Sequence, residues 1–238
     1  RLKALQRHLR GVQKRFLWVF ISFGIGSGLV WYFRKTVIAW LLLPAHGQLS
    51  ATGRPVFTSP TEMFNLTIHL AILGGVVLAF PMLAYQVFRF LRPLLNKRQG
   101  RFVAIFLPAV FVCFLGGAAF AYFVLLPTGL RFLLQFNTDV ADPLIRITEY
   151  MDLALAMLFW SGLSFTLPLW MLLLAKRRIV SYQRLRKIPR RYVWSAAIIF
   201  AIIITPTVDL VNMLLVSVPI ILLYEVGLVM AFVARPRT

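Results

Sequence analysis

Residues 102 to 126 read FVAIFLPAVFVCFLGGAAFAYFVLL, a run of 25 residues without one charged side chain. A helix needs about 20 apolar residues to cross the roughly 30 Å hydrocarbon core of a bilayer. The run therefore predicts a transmembrane helix. The whole chain has the same character, because 60% of its 238 residues are hydrophobic and 14% are charged, against about 45–50% and about 25% in soluble domains. The sequence is that of a membrane protein.

Five further segments join this run in predicting an all-α membrane protein of six transmembrane helices, in a single integral membrane domain, 1–238. The predicted spans are 16–43, 64–88, 102–126, 151–175, 193–205 and 213–233. The first is most apolar up to Phe33 and extends to Leu43. The fifth has 13 residues, which cover only about 20 Å as a helix. Apolar residues in the longer alternate loops favour short interfacial helices on the outer side.

The basic residues lie on one side of this predicted topology. Of the 26 Lys and Arg, 21 fall in the two tails and in the loops after the second and fourth spans, whereas six of the seven acids fall on the other side or at its edge. Because short loops rich in Lys and Arg stay in the cytoplasm, both termini are predicted to be cytoplasmic, in the inner membrane. The charge of +19 then reflects topology and attraction to anionic lipids.

Other classes of site find little support in the sequence. A nucleic-acid binder needs a soluble domain to display its bases, and no stretch is polar enough to form one. The three histidines are scattered without a Cys or carboxylate at ligand spacing, so no metal site is predicted. No nucleophile, base and orienting group share a motif, which disfavours an enzyme.

Glu225 interrupts the sixth predicted span. An ionised carboxylate at depth is costly, and such residues pair, become protonated or mark a function. A pair with a cytoplasmic base is one interpretation. The other is a contact with a proton or a substrate.

Several stretches, in this order and at this spacing, resemble one family over nearly the whole chain, the TatC family, which is the C subunit of the twin-arginine protein translocase. These stretches are HL at residues 8–9 followed by Lys14 and Arg15, SPTEMF (59–64), YQVFRFLRPLLNK (85–97), GGAAFAYFVLLP (116–127), YMDLALAMLFWSGLSFTLPL (150–169) and TPTVDLVNMLLVSVPIILLYEVG (205–227). The resemblance implies a curved, glove-shaped bundle. It also implies a core receptor that binds signal peptides of folded cargo and recruits single-span TatA-like and TatB-like proteins, driven by the proton-motive force.

The resemblance carries two groups of site residues onto this chain. The signal-peptide surface would comprise His8, Lys14, Arg15, Phe90, Pro93 and Gln99. The patch for partner helices would comprise Thr166, Thr205 and Asn212. A homo-oligomer within the complex is expected, and neither a cofactor nor bond-breaking chemistry is implied.

The chain departs from the family pattern at positions that normally carry glutamate. Gly11 stands at the glutamate of the first motif, Gln99 at the one that closes the first cytoplasmic loop, and Thr166 at the one in the fourth span. The first two are the carboxylates with which the family binds the signal's guanidinium groups. Two alternatives therefore remain. One is a divergent paralogue that has lost twin-arginine recognition and acts as a scaffold or binds another ligand, and the other is a proton-coupled carrier centred on Glu225.

Overall fold

The computed structural model describes residues 2–45, 59–91, 100–135, 146–176, 180, 182–204 and 210–233. Within these residues the chain forms ten α-helices, with a 3-10 turn at Leu43–Ala45 and a π-helical turn at Ala121–Leu125. The helices are α1 (Leu2–Tyr32), α2 (Arg34–Leu42), α3 (Pro60–Leu91), α4 (Gly100–Phe120), α5 (Leu126–Gln135), α6 (Ile147–Phe165), α7 (Leu167–Lys176), α8 (Tyr182–Lys187), α9 (Arg190–Ile204) and α10 (Leu210–Val233). The described chain is all-α, as predicted.

Four helical segments of the described chain are long and apolar enough to cross a membrane. They are Thr61–Val87, Ile105–Leu133, Ile147–Lys176 and Met213–Val233. Each lies where the sequence predicts a span. The second segment combines α4, the π turn and α5, and the third combines α6 and α7.

The predicted span 16–43 consists of two helices with a sharp bend between them. Leu17–Tyr32 and Arg34–Ala45 meet at an angle of 76°. Phe33 leaves the helical conformation with φ −91° and ψ 16°, and Arg34 and Lys35 follow it directly. A straight continuation would carry two charges along the apolar segment, which a membrane helix tolerates poorly. The helix is therefore broken at Phe33, and α2 is a short separate helix that points away from the axis of α1.

The fifth predicted span, 193–205, corresponds to α9, which begins three residues earlier at Arg190. Its 15 residues measure about 22 Å along the axis, less than the hydrocarbon thickness of about 30 Å. That this helix crosses the membrane stays a prediction.

Small residues set the closest helix contacts. A Cβ added to Gly75 on α3 would overlap Ser27 Oγ on α1, and one added to Gly117 on α4 would lie 2.5 Å from the Ser161 carbonyl on α6. The Ser161 hydroxyl donates a hydrogen bond of 2.9 Å to the Gly117 carbonyl. Because lipid is as apolar as the side chains, such close backbone approach and interhelical hydrogen bonds hold membrane helices together.

The long helices alternate in direction, and the charged residues gather at two ends of the bundle. At one end of the bundle α1 begins, α3 ends and α9 begins, and we call this the basic end. The opposite end carries Glu62, Glu149 and Asp152 and is called the acidic end.

At the acidic end, two tyrosine hydroxyls hold α2 against the rest of the bundle. Tyr122 in the π turn donates to the Trp40 carbonyl at 2.7 Å, and the buried Tyr150 on α6 donates to the Leu41 carbonyl. Next to them, the Thr148 hydroxyl donates to Glu62 Oε1 at 2.5 Å, which joins α6 to α3. The corner between α1 and α2 is therefore fixed by specific polar contacts.

Candidate functional site

The predicted signal-peptide surface falls at the basic end. His8, Lys14 and Arg15 lie in α1 and Phe90 lies in the last turn of α3, but their side chains are outside the described part of the structure, as are Pro93 and Gln99 entirely. The backbone still relates these positions to one another. Their assignment to a binding surface stays a prediction.

The register between α1 and α3 brings the two halves of this surface together. A Cβ on Gly26 would lie 3.1 Å from the Gly75 carbonyl, and one on Gly74 would lie 2.9 Å from a methyl group of Val30. These contacts fix two antiparallel helices that rise about 1.5 Å per residue. Counted back along α1, Lys14 lies level with the turn of α3 that contains Phe90.

Gln86 is a candidate that the sequence reasoning did not single out. It lies one turn before Phe90, is only 7% exposed, and neither its Nε2 nor its Oε1 has a hydrogen-bond partner among the described residues. A buried amide without a partner costs about 1–3 kcal/mol. The signal in the sequence was a single amide within an apolar run, five residues after Pro81.

Thr166 sits at the junction of α6 and α7 and is fully buried. Its hydroxyl donates to the Leu163 carbonyl at 2.7 Å, while its own carbonyl accepts from the backbone N–H groups of Leu169 and Trp170. Pro168 has no N–H to offer to the preceding turn, and these bonds bridge the resulting interruption. With no exposed surface, Thr166 presents nothing to a partner helix in this arrangement.

The two other residues of the predicted partner patch are Thr205 and Asn212. Thr205 lies outside the described residues, and Asn212 lies in the first turn of α10 with its side chain outside them. Their role stays a prediction.

Glu225 forms an ion pair with the first residue of α9. Arg190 Nε lies 3.4 Å from Glu225 Oε1, and the two side chains are 77% and 40% exposed. The adjacent Tyr224 hydroxyl donates to the Leu185 carbonyl of α8 at 3.1 Å. The structure therefore supports the pairing interpretation of Glu225.

The shortness of α9 explains why a base reaches this carboxylate. From Leu210 to Glu225 is about 22 Å along α10, which equals the length of α9, so the first residue of α9 lies level with Glu225. The last two turns of α10 continue past α9, where the ring of Phe232 lies 5.3 Å from that of Tyr182 on α8. Arginine can extend its charged head from such a depth towards water.

The acidic end carries a second polar contact between spans. His69 Nδ1 on α3 lies 3.3 Å from Asp152 Oδ1 on α6, with side chains 60% and 45% exposed. In the described part of the chain, no group of three or more His, Cys, Asp or Glu could hold a metal ion.

Over residues 7–219 the sequence matches the family model described as Sec-independent protein translocase protein (TatC). The chain belongs to the TatC family. It is similar to the Sec-independent protein translocase protein TatC of Koribacter versatilis, at 34% identity over 97% of this chain and 85% of the relative. The TatC of Carboxydothermus hydrogenoformans is 32% identical over 98% of this chain and 94% of the relative. An uncharacterized tatC-like protein ycf43 of Pyropia yezoensis is 31% identical, covering 98% and 89%.

Solved TatC structures share this fold. The crystal structure of a twin-arginine translocase receptor, TatC, is similar to this chain with a TM-score of 0.84 and 31% identity, covering 95% of this chain and 99% of that one. A second, of the receptor TatC in DDM, has a TM-score of 0.83 and 30% identity. The predicted family and the helical membrane fold are confirmed. This TatC-family chain is a multi-pass membrane subunit of a protein translocase, and TatC is a family of translocase components and not of catalytic enzymes.

Proposed function

We propose that this chain is the core receptor subunit of a twin-arginine translocase. It binds the signal peptides of folded cargo and recruits TatA-like and TatB-like single-span proteins for export driven by the proton-motive force. The observation that carries this proposal is the match to the twin-arginine receptor fold over 95% of the chain. The distribution of bases supports an orientation in the inner membrane with both termini cytoplasmic.

The signal peptide binds, in this proposal, at the basic end across α1 and α3. The register that brings Lys14 level with Phe90 supports a single surface there, with His8, Arg15, Pro93 and Gln99 around it. Gln86 lies one turn deeper, and its amide, which has no partner among the described residues, would bind a polar group that enters from this end.

Recognition of arginine has to work here without the family's first two glutamates. An arginine and a carboxylate can form two parallel charge-assisted hydrogen bonds, about twice as strong as neutral ones. Gln99 offers a single carbonyl and Gly11 offers no side chain, while Lys97, Arg98 and Arg101 surround Gln99 in sequence. We therefore propose that a TatB-like partner supplies the missing carboxylate, so that the complete arginine site forms only in the assembled complex.

The partner helices dock, in this proposal, near the segment that joins α9 to α10 in sequence, where Thr205 and Asn212 lie. Thr166 acts differently from the other two residues, because its burial and its bond to Leu163 assign it to the junction of α6 and α7. The complex is expected to contain several copies of the chain.

A crosslinking experiment tests the receptor role. A photoreactive amino acid at Val87, an exposed position in the last turns of α3, would be challenged in membrane vesicles with a signal peptide carrying Arg-Arg or Lys-Lys. The proposal predicts a crosslink that prefers Arg-Arg and requires the TatB-like partner. Gln99→Glu is expected to strengthen the crosslink and to relax its dependence on the partner, whereas the uncharged control Gln99→Asn should do neither.

Equal crosslinking of the two signals would contradict arginine recognition. No crosslink with either signal, while the single-span partners still co-purify, would favour a second candidate. In that case the chain is a TatC-like scaffold that has lost twin-arginine binding, which the neutral Gly11 and Gln99 would explain.

A further inference from the structure

The interface between α1 and α3 is tightly closed in the half nearer the acidic end. We call the two facing helix surfaces the α1–α3 seam. A Cβ on Gly26 would lie 3.1 Å from the Gly75 carbonyl, and one on Gly74 would lie 2.9 Å from a methyl group of Val30. Contacts this close leave no space for a ligand. This half of the seam therefore holds the two helices together.

The half of the seam nearer the basic end contains the amide of Gln86. This residue follows Gly75 by about three helical turns, so it lies on the same face of α3, towards α1. Gln86 is 7% exposed, and neither atom of its amide has a hydrogen-bond partner among the described residues. A buried amide without a partner destabilises the packing around it. The basic half is therefore the less stable half of the seam.

Within the described residues, the buried side-chain oxygen and nitrogen atoms that lack a hydrogen-bond partner belong to Ser27 and Gln86, and both residues lie on this seam. Ser27 lies in the closed half, where Gly75 packs directly against its hydroxyl. Gln86 lies near the end of α3. Because α1 is one continuous helix, a tilt of α1 about the glycine contacts uncovers Gln86 and leaves Ser27 covered.

The surroundings of Gln86 favour a neutral ligand over a guanidinium group. α1 contains no Asp or Glu, and the only acid of α3 is Glu62 at its opposite end. The neighbouring turn of α1 instead carries Lys14 and Arg15. A positive charge brought into the seam would have no counter-charge on either helix, which makes its burial costly. A peptide group is neutral, and its N–H and C=O match the acceptor and the donor of one side-chain amide.

We propose that the basic half of the α1–α3 seam opens to the signal peptide, and that Gln86 then binds a main-chain amide of that peptide. This inference rests on the proposed receptor function and adds a contact that does not read arginine. Recognition of the arginines stays with the site completed by the partner. The contact at Gln86 instead strengthens binding of any signal peptide that enters the seam.

Binding of two synthetic signal peptides, measured by fluorescence anisotropy on the purified complex of this chain with its single-span partners, tests the contact. The peptides differ only in carrying Arg-Arg or Lys-Lys. Gln86→Met keeps the length of the side chain and removes its hydrogen bonds, so it should weaken binding of both peptides by about fivefold, the effect of one neutral hydrogen bond. The preference for Arg-Arg should stay as in the parent. Gln183→Met, at an exposed position of α8, is the control and should bind both peptides like the parent.

The outcomes separate this inference from the receptor function. A loss with Arg-Arg alone would assign Gln86 to the arginines and overturn the proposal. No loss with either peptide would also overturn it, while a parental preference for Arg-Arg would leave the receptor function standing. A parent that binds both peptides equally, with a loss of both in Gln86→Met, would contradict arginine recognition and support the contact at Gln86. A parent that binds neither peptide would overturn both.

A disulfide across the seam tests its opening. Val19 and Met82 each lie two turns from the contact between Gly26 and Gly75, towards the basic end, and both are half-buried. In a Cys113→Ala background, oxidised Val19→Cys with Met82→Cys should abolish binding of the Arg-Arg peptide, and reduction should restore it. Binding as in the parent while this disulfide is closed would overturn the proposal. Failure of the disulfide to form would contradict the facing positions on which the seam rests.

The control disulfide lies in the closed half of the seam. A Cβ on Gly74 would lie 3.4 Å from the Cβ of Val30, close to the separation found in disulfides. Oxidised Val30→Cys with Gly74→Cys, in the same background, should therefore form and leave binding of the Arg-Arg peptide unchanged. Equal loss of binding with both disulfides would show that the seam does not open at its basic half alone, which would also overturn the proposal.

Discussion

Arg190 Nε lies 3.4 Å from Glu225 Oε1, and this contact joins the first residue of the short helix α9 to the interior of α10. It gives the carboxylate within the last apolar span a partner of opposite charge. A substrate or proton contact is therefore not needed to account for Glu225.

Neutralising either member of this pair should have a similar, modest effect on stability. Both side chains are partly exposed, and exposed ion pairs contribute about 0.2–1 kcal/mol. Glu225→Gln and Arg190→Gln are each expected to lower the thermal midpoint slightly, and the double variant should lose no more than the larger single loss. The control is the neighbouring Arg191, whose guanidinium lies 5.2 Å from the centre of the Tyr192 ring. Arg191→Gln combined with Glu225→Gln should show simple additivity.

The same variants distinguish the hypothesis of a translocase subunit from that of a proton-coupled carrier. Proteoliposomes of the chain alone should show no proton-coupled solute uptake that depends on Glu225. Uptake that disappears in Glu225→Gln but persists in Arg190→Gln would contradict the structural role of the pair.

Adjacent glycines on α4 should respond in opposite ways to the same substitution. A Cβ on Gly117 would lie 2.5 Å from the Ser161 backbone carbonyl, whereas one on Gly116 would meet nothing within 4 Å. Gly117→Ala should therefore force α4 and α6 apart and destabilise the chain by about 1–3 kcal/mol. Gly116→Ala should be neutral or stabilising by about 0.5–1 kcal/mol, because alanine favours helix. Thermal unfolding in detergent measures both, and equal losses would contradict the packing described for this helix pair.

The tyrosines that hold α2 should control the mobility of that helix. Tyr150→Phe and Tyr122→Phe each remove one hydroxyl that donates to a carbonyl of α2, and each should cost about 0.5–1.5 kcal/mol. Amide hydrogen exchange in α2 should accelerate in both variants and most in the double variant. Tyr192→Phe, on the exposed surface of α9, should leave α2 unchanged. If α2 keeps its parental protection in the double variant, the two hydroxyls do not fix the corner.

Substitution of Gln86 should show whether its side chain binds the signal peptide or only packs within the bundle. Because its buried amide has no partner among the described residues, Gln86→Leu is expected to keep or raise thermal stability. The same variant should reduce crosslinking of an Arg-Arg signal at Val87. Gln183→Leu, at an exposed position of α8, serves as the control for surface hydrophobicity. A clear loss of thermal stability in Gln86→Leu would instead show that the amide has a structural partner.

The sequence predicted the features that follow from apolar length, and the structure adds those that depend on contacts between distant segments. Four spans and the shortness of α9 follow from counting apolar residues. The 76° turn at Phe33 was missed, because the hydropathy of α2 is compatible with a longer span although Arg34 and Lys35 mark the break. The partner of Glu225 was predicted only as some base on the cytoplasmic side. Arg190 can be identified as the partner only when α9 is known to begin level with Glu225. That level depends on how α9 and α10 pack together, which the sequence of neither helix gives by itself.

Thr166 illustrates a different limit. Sequence comparison with the family placed it at a position normally occupied by glutamate and suggested a partner patch. Its complete burial and its bond to Leu163 come from the break that Pro168 imposes between α6 and α7. A hydroxyl can donate to the Leu163 carbonyl, which an ionised carboxylate cannot do, so Thr166 makes a local bond that glutamate at this position could not make.

Export of a folded reporter tests the central claim most directly. The chain would be expressed with its own single-span partners in a host that lacks a native C subunit, and a reporter would carry either an Arg-Arg or a Lys-Lys signal. The receptor account predicts export with Arg-Arg alone and further enhancement by Gln99→Glu with Gly11→Glu. No export with either signal, with membrane insertion and partner expression confirmed, would contradict it.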